Sequence, residues 1–167
     1  MHPRGGTRLH RFTIRDGAPA DVPHLLELWR VAGSVPTPTD TPESLAALLA
    51  FDPQALMVAE AGDGVVGSLV VAWDGWRGSF YRLAVHPDER RRGLARELVR
   101  RGEERLRERG AVRPNAIAVF EEVAAKGFWE SHGYVWEAGQ ARFVRDLSAP
   151  AGAGVAPAGG PVSPPSA

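Results

Sequence analysis

Two features of the sequence predict an α/β (α+β) fold, and a third indicates its size. Residues 11–147 alternate between short apolar runs typical of strands and stretches with apolar residues at helical spacing. The apolar run at residues 80–85 is followed by a tight turn and a long amphipathic helix. The chain has 167 residues, a length that fits one domain with a proper core. Residues 1–10 lack periodicity and residues 148–167 are rich in alanine, glycine and proline, so we expect a flexible arm and a disordered tail.

The first part of the domain predicts a strand and two helices. Residues 12–14 suit a strand, and Asp21 is expected to cap the first helix. Residues 36–40 break that helix. The second helix begins at Thr41-Pro42-Glu43, which combines a cap, a proline at the first position and an acid in the first turn. The apolar residues at helical spacing are Val22, Leu25, Leu26 and Trp29, then Leu45, Leu48 and Leu49.

The middle of the domain predicts three strands. Residues 56–60 and 65–73 form two of them, joined by Gly62-Asp63-Gly64 as a hairpin turn. A further turn follows at residues 73–78. Residues 80–85 form the third strand.

A long amphipathic helix comes next and ends at Gly110. We assign Leu94, Leu98, Val99 and Leu106 to its apolar face, and Glu97, Arg101, Glu104 and Arg105 to the opposite face. Glutamates alternate with arginines along this helix, which is typical of paired surface charge. We therefore expect no nucleic-acid partner.

The remaining elements are short. Residues 115–119 predict a strand and residues 122–131 a helix. Residues 134–136 and 141–144 predict a final pair of strands.

The junction before the long helix is suited to binding phosphate. It has the sequence Arg90-Arg91-Arg92-Gly93-Leu94-Ala95. The first turn of a helix has backbone N–H groups without partners and carries partial positive charge, so it stabilises an anion. Gly93 and Ala95 let that backbone approach a ligand closely, and the three arginines add charge.

The composition excludes several classes of protein. The 20 basic and 20 acidic residues cancel, so there is no global attraction to nucleic acid or to a membrane surface. Cysteine is absent, which excludes disulfides, thiolate metal sites and thiol nucleophiles. No apolar run approaches the roughly 18 residues of a membrane span. We expect a cytoplasmic protein with no membrane partner and no metal.

Two blocks of the sequence resemble a known family. Val85 to Ala95 resembles motif A of the GNAT (Gcn5-related) N-acetyltransferases, in which Arg or Gln, two residues and Gly are followed by one residue and Gly or Ala. Gly127 to Tyr134 resembles the closing segment of that family. Together the matches cover most of residues 11–147. The resemblance implies a mixed, mostly antiparallel sheet with helices on both faces.

The resemblance also implies a reaction and a cofactor. A GNAT enzyme moves the acetyl group of acetyl-CoA to a primary amine, by direct attack in a ternary complex. The backbone of residues 91–96 would bind the pyrophosphate, and the pantetheine arm would lie where residues 83–85 separate from residues 115–119. The cofactor-binding residues would be Leu83, Ala84, Val85, Arg90, Arg91, Arg92, Gly93, Leu94, Ala95, Arg96, Phe128 and Trp129.

The groups that move protons are less well defined by the sequence. Trp129 stands where relatives often have a tyrosine that protonates the leaving thiolate, and an indole N–H is not a useful acid. Phe128 and Trp129 would pack around the cofactor arm or in the core. Tyr81 is our candidate for positioning water near the amine, and Ser79 shares its face of the strand. His132 has a suitable intrinsic pKa for a base, yet its place before Gly133 favours a helix-end role.

Two further positions carry competing interpretations. His86 precedes a proline at a strand end, where a structural role is favoured over catalysis. Glu121-Glu122 stands where the family often has an asparagine, and these acids would either contact the cofactor or serve as a cap or a solvated charge.

The acceptor site is suggested by aromatic residues. The resemblance places the acceptor at segments that contain Trp29, residues 34–40 and residues 73–77. Trp73 and Trp76 beside Asp74 could hold a cationic amine. Equally, they could only close a hairpin. A protein N-terminus, a lysine, an aminoglycoside and a polyamine all remain open as acceptors. A non-catalytic acyl-CoA-binding module is the alternative function, and we expect a monomer or homodimer.

Overall fold

The computed structural model describes residues 12–118 and 123–147. The predicted arm at residues 1–10, the predicted tail at residues 148–167 and Glu121-Glu122 lie outside this part of the chain. The chain divides into two compact units, one ending at Tyr134 and one beginning at Val135. In the second unit, the described residues 135–147 form no helix or strand.

The first unit contains five strands and four α-helices within its described residues. In chain order they are β1 (Thr13–Asp16), α1 (Val22–Val31), α2 (Pro42–Phe51), β2 (Leu56–Ala61), β3 (Gly64–Trp73), β4 (Gly78–Val85), α3 (Leu94–Glu108), β5 (Pro114–Ala116) and α4 (Val123–Ser131). Short 3₁₀ turns lie at Pro19–Asp21 and Pro87–Glu89. No helix in the described ranges is long and apolar enough to cross a membrane.

The strands form one mixed sheet in the order β1-β2-β3-β4-β5. All neighbours pair antiparallel except β4 and β5, which pair parallel. Helices cover both faces, because α1 and α2 contribute to one buried cluster and α3 to the other. The predicted mixed, mostly antiparallel sheet flanked by helices is confirmed.

The two cores explain why the predicted helical faces are apolar. On one face, α3 packs against the sheet through Leu94, Leu98, Val99 and Leu106, which meet Leu69, Val71 and Phe80. On the other face, Leu25, Leu28, Trp29, Leu45 and Leu49 of α1 and α2 meet Val58, Val70 and Ala84. The sheet is therefore buried on both sides.

The helix ends agree with the prediction in part. Thr41 caps α2, since its hydroxyl accepts a hydrogen bond from the Ser44 N–H at 3.1 Å. Gly110 follows the end of α3 in a left-handed conformation with φ +87°. Asp21 precedes α1 as predicted, but its carboxylate makes no cap there. It accepts instead from the Ala18 N–H and from Arg15, which holds its pKa below the usual range.

Three predictions about individual elements are wrong. Arg105 is not on an exposed face of α3: it is 7% exposed and its guanidinium donates to the Asp52 carboxylate at 2.5 Å. The predicted strands at residues 134–136 and 141–144 are absent from the structure. The strand predicted at residues 115–119 is Pro114–Ala116, and Val119 lies outside the described residues.

Candidate functional site

The site begins where β4 loses its partner on one side. β4 and β5 pair only from Gly78 opposite Pro114 to Phe80 opposite Ala116. Beyond Phe80, this edge of β4 has no strand partner among the described residues. Its backbone hydrogen-bonding groups therefore face an open edge over the second half of the strand.

Val85 directs its backbone toward that open edge. The His86 N–H donates to the Val66 carbonyl on β3 at 2.8 Å. Because residues of an antiparallel strand alternate between bonding their partner and facing away from it, the N–H and C=O of Val85 face away from β3. The Val85 carbonyl accepts from Arg90 Nε at 3.3 Å. The Val85 N–H has no acceptor among the described residues, so it is available to a ligand. The side chains of Leu83 and Val85 pack against the α3 core, and Ala84 is buried on the opposite face.

The turn between β4 and α3 presents a row of backbone donors. The six N–H groups of residues 91–96 have no hydrogen-bond acceptor in the described part of the chain. Arg91 and Gly93 have left-handed backbones, with φ +60° and +81°. Such turns direct neighbouring N–H groups into an anion-binding concavity, and the dipole of the 15-residue helix α3 adds positive charge. A Cβ at Gly93 would meet nothing within 4 Å, so the space in front of this backbone is open.

The arginines of the turn divide into two groups. Arg90 donates to the Ala32 carbonyl at 2.9 Å, and Arg92 pairs with Glu89 at 2.9 Å. These two side chains hold the turn together. Arg91 and Arg96 are exposed and make no hydrogen bond or ion pair with the described residues. Of the four predicted arginines, Arg91 and Arg96 are therefore the ones available to an anion.

Trp129 packs into the sheet rather than pointing at solvent. Its ring stacks on Phe80 with a centroid distance of 6.1 Å and an interplanar angle of 12°. It also meets the Tyr134 ring edge-on at 4.8 Å. Phe128 lies edge-on to Trp129 at 5.3 Å, so both predicted aromatic residues are part of one cluster.

The Tyr134 hydroxyl beside this cluster is already occupied. It donates to Glu103 Oε1 on α3 at 2.9 Å. Burial, followed by the bond to Glu103, raises the pKa of Tyr134 above its ordinary value of 10.0. The phenol therefore stays protonated at neutral pH.

His132 and His86 each make a hydrogen bond to a backbone group close in sequence. In His132, Nδ1 lies 2.7 Å from the Phe128 carbonyl oxygen, an acceptor, so Nδ1 carries the proton of that bond. Nε2 is buried and has no partner among the described residues. The His86 Nδ1 accepts from the Asp88 N–H at 3.3 Å and caps the 3₁₀ turn.

Tyr81 is the most accessible of the predicted polar groups on β4. Its side chain is 38% exposed, and strand alternation from the buried Phe80 puts it on the α1 face of the sheet. Ser79 on the same face accepts from Asn115 Nδ2 at 3.0 Å. Tyr81 thus lies on the strand that carries Val85, and unlike Ser79 its hydroxyl makes no hydrogen bond with the described residues.

Trp29 is separated from solvent. It is 4% exposed, and its indole N–H donates to the Ser68 hydroxyl at 2.9 Å. Its ring instead supports the guanidinium of Arg82, whose Cζ lies 5.1 Å from the ring centroid. Arg82 was not among the residues that the sequence singled out, because its partners are more than 40 positions away in the chain.

The other predicted acceptor residues lie at the far end of β4. The Asp74 carboxylate accepts from the N–H groups of Trp76 and Arg77 at 2.8 and 2.6 Å, and these bonds lower its pKa. The Arg77 guanidinium covers the Trp76 ring at 4.1 Å. These residues, with Trp73 at the end of β3, close the β3–β4 turn. The length of β4, about 20 Å, separates that turn from Val85.

Comparison with known proteins identifies relatives over most of the chain. A model described as the Acetyltransferase (GNAT) family matches residues 22–134. A protein named as an acetyltransferase in Yersinia enterocolitica is 34% identical over 121 residues, which are 72% of this chain and 86% of the relative.

Among the solved structures that share the fold, two illustrate the match. One is a putative acetyltransferase from Pyrococcus horikoshii, with a TM-score of 0.65 and 21% identity. The match covers 81% of this chain but 47% of that one, so this chain spans about half its length. The other is the PaiA N-acetyltransferase from Thermoplasma acidophilum in complex with coenzyme A, with a TM-score of 0.66 and 14% identity over 76% of this chain and 91% of that chain.

Proposed function

The chain belongs to the GNAT acetyltransferase family, and we propose that it transfers the acetyl group of acetyl-CoA to a primary amine by direct attack in a ternary complex. The observation that carries the proposal is the row of N–H groups at residues 91–96, which have no acceptor among the described residues. Phosphate oxygens accept such bonds at a helix N-terminus. The coenzyme A bound to the PaiA neighbour supports the choice of ligand.

The residues around the turn fit a CoA thioester. Gly93 leaves open space in front of the donors, and Arg91 and Arg96 can pair with phosphate. The open edge of β4 offers backbone partners to the amides of a pantetheine arm. The thioester supplies an activated acetyl group, and the Val85 N–H is the donor we assign to its carbonyl oxygen, where negative charge develops during attack.

Proton transfer is assigned to water held by Tyr81. An amine must lose a proton before it attacks, and Tyr81 is the exposed hydroxyl on the strand that carries Val85. Trp129 has no acidic proton, and the Tyr134 hydroxyl is bonded to Glu103. The leaving thiolate therefore takes its proton from water. We further propose that the enzyme acts in the cytoplasm on a small-molecule or peptide amine, as a monomer or homodimer.

Thermal unfolding with and without 1 mM acetyl-CoA tests the cofactor site. A ligand at a hundred times its Kd adds about 2.7 kcal/mol, which corresponds to a rise in Tm of about 5–10 °C for a chain of this size. Gly93→Glu should abolish that rise, because it places a carboxylate where the phosphates bind. Gly75→Glu is the matched control: Gly75 is also left-handed, with φ +90°, and also faces open space. If acetyl-CoA raises the Tm of Gly93→Glu as much as that of the wild type, this turn does not bind the phosphates.

Release of free thiol from acetyl-CoA separates an enzyme from a binding module. The assay uses spermidine, lysine, an aminoglycoside and a peptide with a free N-terminal amine. Thiol release that depends on one of these amines supports the transferase. A thermal shift without amine-dependent release from a broader set of primary amines would favour the non-catalytic acyl-CoA-binding module.

A further inference from the structure

A β-bulge places Arg82 in an unusual conformation on β4. Between the pairs Ser68–Ala84 and Val70–Tyr81, two residues of β4 lie opposite the single residue Leu69 of β3. Arg82 is one of the two, and its φ is +52°, a left-handed value that is uncommon for any residue but glycine. The Ser68 hydroxyl, which is fully buried, donates to the Arg82 carbonyl at 2.8 Å. A conformation maintained in this way at a candidate site calls for a functional explanation.

The bulge directs the Arg82 guanidinium onto the segment that joins α1 to α2. Nε donates to Asp40 Oδ1 at 3.0 Å, and Nη2 donates to Asp40 Oδ2. Nη1 donates to the Val35 carbonyl at 3.1 Å, and Nη2 to the Thr37 hydroxyl at 3.0 Å. Four bonds from one fork-shaped cation thus meet three residues of the same segment, and this geometry is specific to arginine.

Asp40 organises the segment from within. Its Oδ2 accepts from the Thr37 N–H at 2.7 Å, and its own N–H donates to the Thr37 carbonyl at 3.0 Å. The side chains of Asp40 and Arg82 are only 15% and 17% exposed, so the pair is largely screened from water. Arg82 therefore contacts a turn that Asp40 and Thr37 already stabilise, and so it fixes the whole turn.

A second arginine connects this segment to the turn that we assign to phosphate binding. Arg90 donates to the carbonyl of Ala32, at the end of α1, at 2.9 Å. Residues 32–40 are thus fixed by one arginine from the bulge and one from the turn that follows β4. Tyr81, the exposed neighbour of Arg82, lies on the same face of the sheet as this segment.

We propose that Arg82 is a positioning residue for the acceptor amine. It fixes residues 35–40 beside the open edge of β4, where this segment and Tyr81 form the wall along which the amine approaches the acetyl group. Arg82 does not take part in proton transfer, because its donors are committed to Asp40, Thr37 and Val35. The inference rests on the proposed function, since it concerns the second substrate of that reaction.

Arg82→Lys tests the proposal in the full-length protein. Lysine keeps the charge but donates from a single nitrogen, so it cannot reproduce the planar fork that bonds Asp40, Thr37 and Val35. We expect amide hydrogen exchange in residues 35–40 to become at least about tenfold faster, because the turn opens more often. We expect the KM for the acetylated amine of the four-amine panel to rise about tenfold, with kcat within about threefold and the Kd for acetyl-CoA within about twofold.

Two further variants keep the test decisive. Arg30→Lys is the matched control, because among the described residues Arg30 pairs with Glu27 alone, on the exposed side of α1. We expect it to change none of these quantities. Asp40→Asn keeps an oxygen for the Thr37 N–H and should give a smaller change in the same direction, even if Arg82→Lys folds poorly.

Each outcome bears on one claim. Faster exchange in Arg82→Lys with an unchanged amine KM would overturn the positioning role and leave the proposed function intact. An equal loss of acetyl-CoA affinity would also overturn it, since Arg82 would then support the cofactor strand. Absence of acetyl-CoA binding by the wild type would instead overturn the proposed function, and the positioning role with it.

Discussion

Trp129 illustrates how a single side chain changes the chemistry expected at a site. Its ring stacks on Phe80 and meets Tyr134 edge-on, so the contacts of this residue are those of packing. We expect Trp129→Phe to retain kcat within about threefold, because no proton passes through the indole. The same variant should lose about 1 kcal/mol of stability, and Trp129→Ala about 3 kcal/mol. Urea unfolding and thiol release measure the two effects.

A different result would identify a catalytic role for Trp129. Loss of several hundredfold in kcat for Trp129→Phe, with normal acetyl-CoA binding, is the result that a proton or hydrogen-bond donor would give. Trp129→Ala cannot decide this point alone, since it leaves a void beside Phe80 and lowers stability as well.

Some residues whose environment is local could be predicted from the sequence, and residues with distant partners could not. Thr41 caps a residue three positions later, and Gly93 lies in a turn defined by its immediate neighbours. The charge of Arg105 predicts a position on the solvent side, yet Asp52 pairs with it from 53 positions away. Arg82 was missed for the same reason, since nothing near it in sequence indicates Asp40.

At the scale of the element, α3 depends on one glycine where it crosses the sheet. A Cβ at Gly102 would lie 2.8 Å from Phe80 and 3.0 Å from Leu69, and both of those side chains are fully buried. Alanine at this position gains about 1 kcal/mol of helix propensity, but overpacking a core costs about 1–3 kcal/mol. We therefore expect Gly102→Ala to lower stability by about 1 kcal/mol in urea unfolding.

Gly127 in α4 is the matched control for that prediction. It is exposed and helical, and a Cβ there would meet nothing within 4 Å. Gly127→Ala should raise stability by about 0.5–1 kcal/mol, because alanine brings the propensity gain without the clash. If both variants were stabilised, α3 would have room to move away from the sheet, and the close approach at Gly102 would not be a constraint.

The elements that the sequence predicted best carry a hydrophobic pattern that agrees with a nearby boundary signal. α2 has both an apolar stripe and the Thr41 cap, and α3 has a stripe that ends before Gly110. The predicted strands at residues 134–136 and 141–144 rested on short apolar runs alone. A strand requires a partner to bond its backbone, and a short run does not specify one.

The whole molecule brings the two halves of the candidate site together through β4. The open edge and Val85 lie toward one end of the strand. Arg82, in the bulge of the same strand, contacts the segment between α1 and α2. Arg90 connects that segment to the turn before α3. In the proposed reaction, the cofactor and acceptor sides are thus held by neighbouring parts of one strand, so a shift of β4 would disturb both.

The response of the whole molecule to alkaline pH depends mainly on one phenol. The chain has no cysteine, Lys126 is its only lysine, and its two tyrosines are Tyr81 and Tyr134. Burial and the bond to Glu103 raise the pKa of Tyr134, while Arg107 opposes this increase. The folded state therefore keeps the proton that the unfolded state loses near pH 10, so the stabilising contribution is complete below pH 10 and is lost as the pH rises above it.

The expected dependence of the unfolding free energy on pH follows from Tyr134 alone. Relative to Tyr134→Phe, the wild type should lose about 1.4 kcal/mol of unfolding free energy for each pH unit above 10, until the phenol ionises in the folded state. Below pH 9 the variant should be less stable by about 1 kcal/mol, the contribution of the bond to Glu103. Urea unfolding between about pH 8 and 11.5 measures both quantities, with Tyr81→Phe as the control that should retain the wild-type slope. Parallel curves for the wild type and Tyr134→Phe above pH 10 would mean that the phenol is not buried against α3, because only a proton held by the folded state makes the two slopes differ.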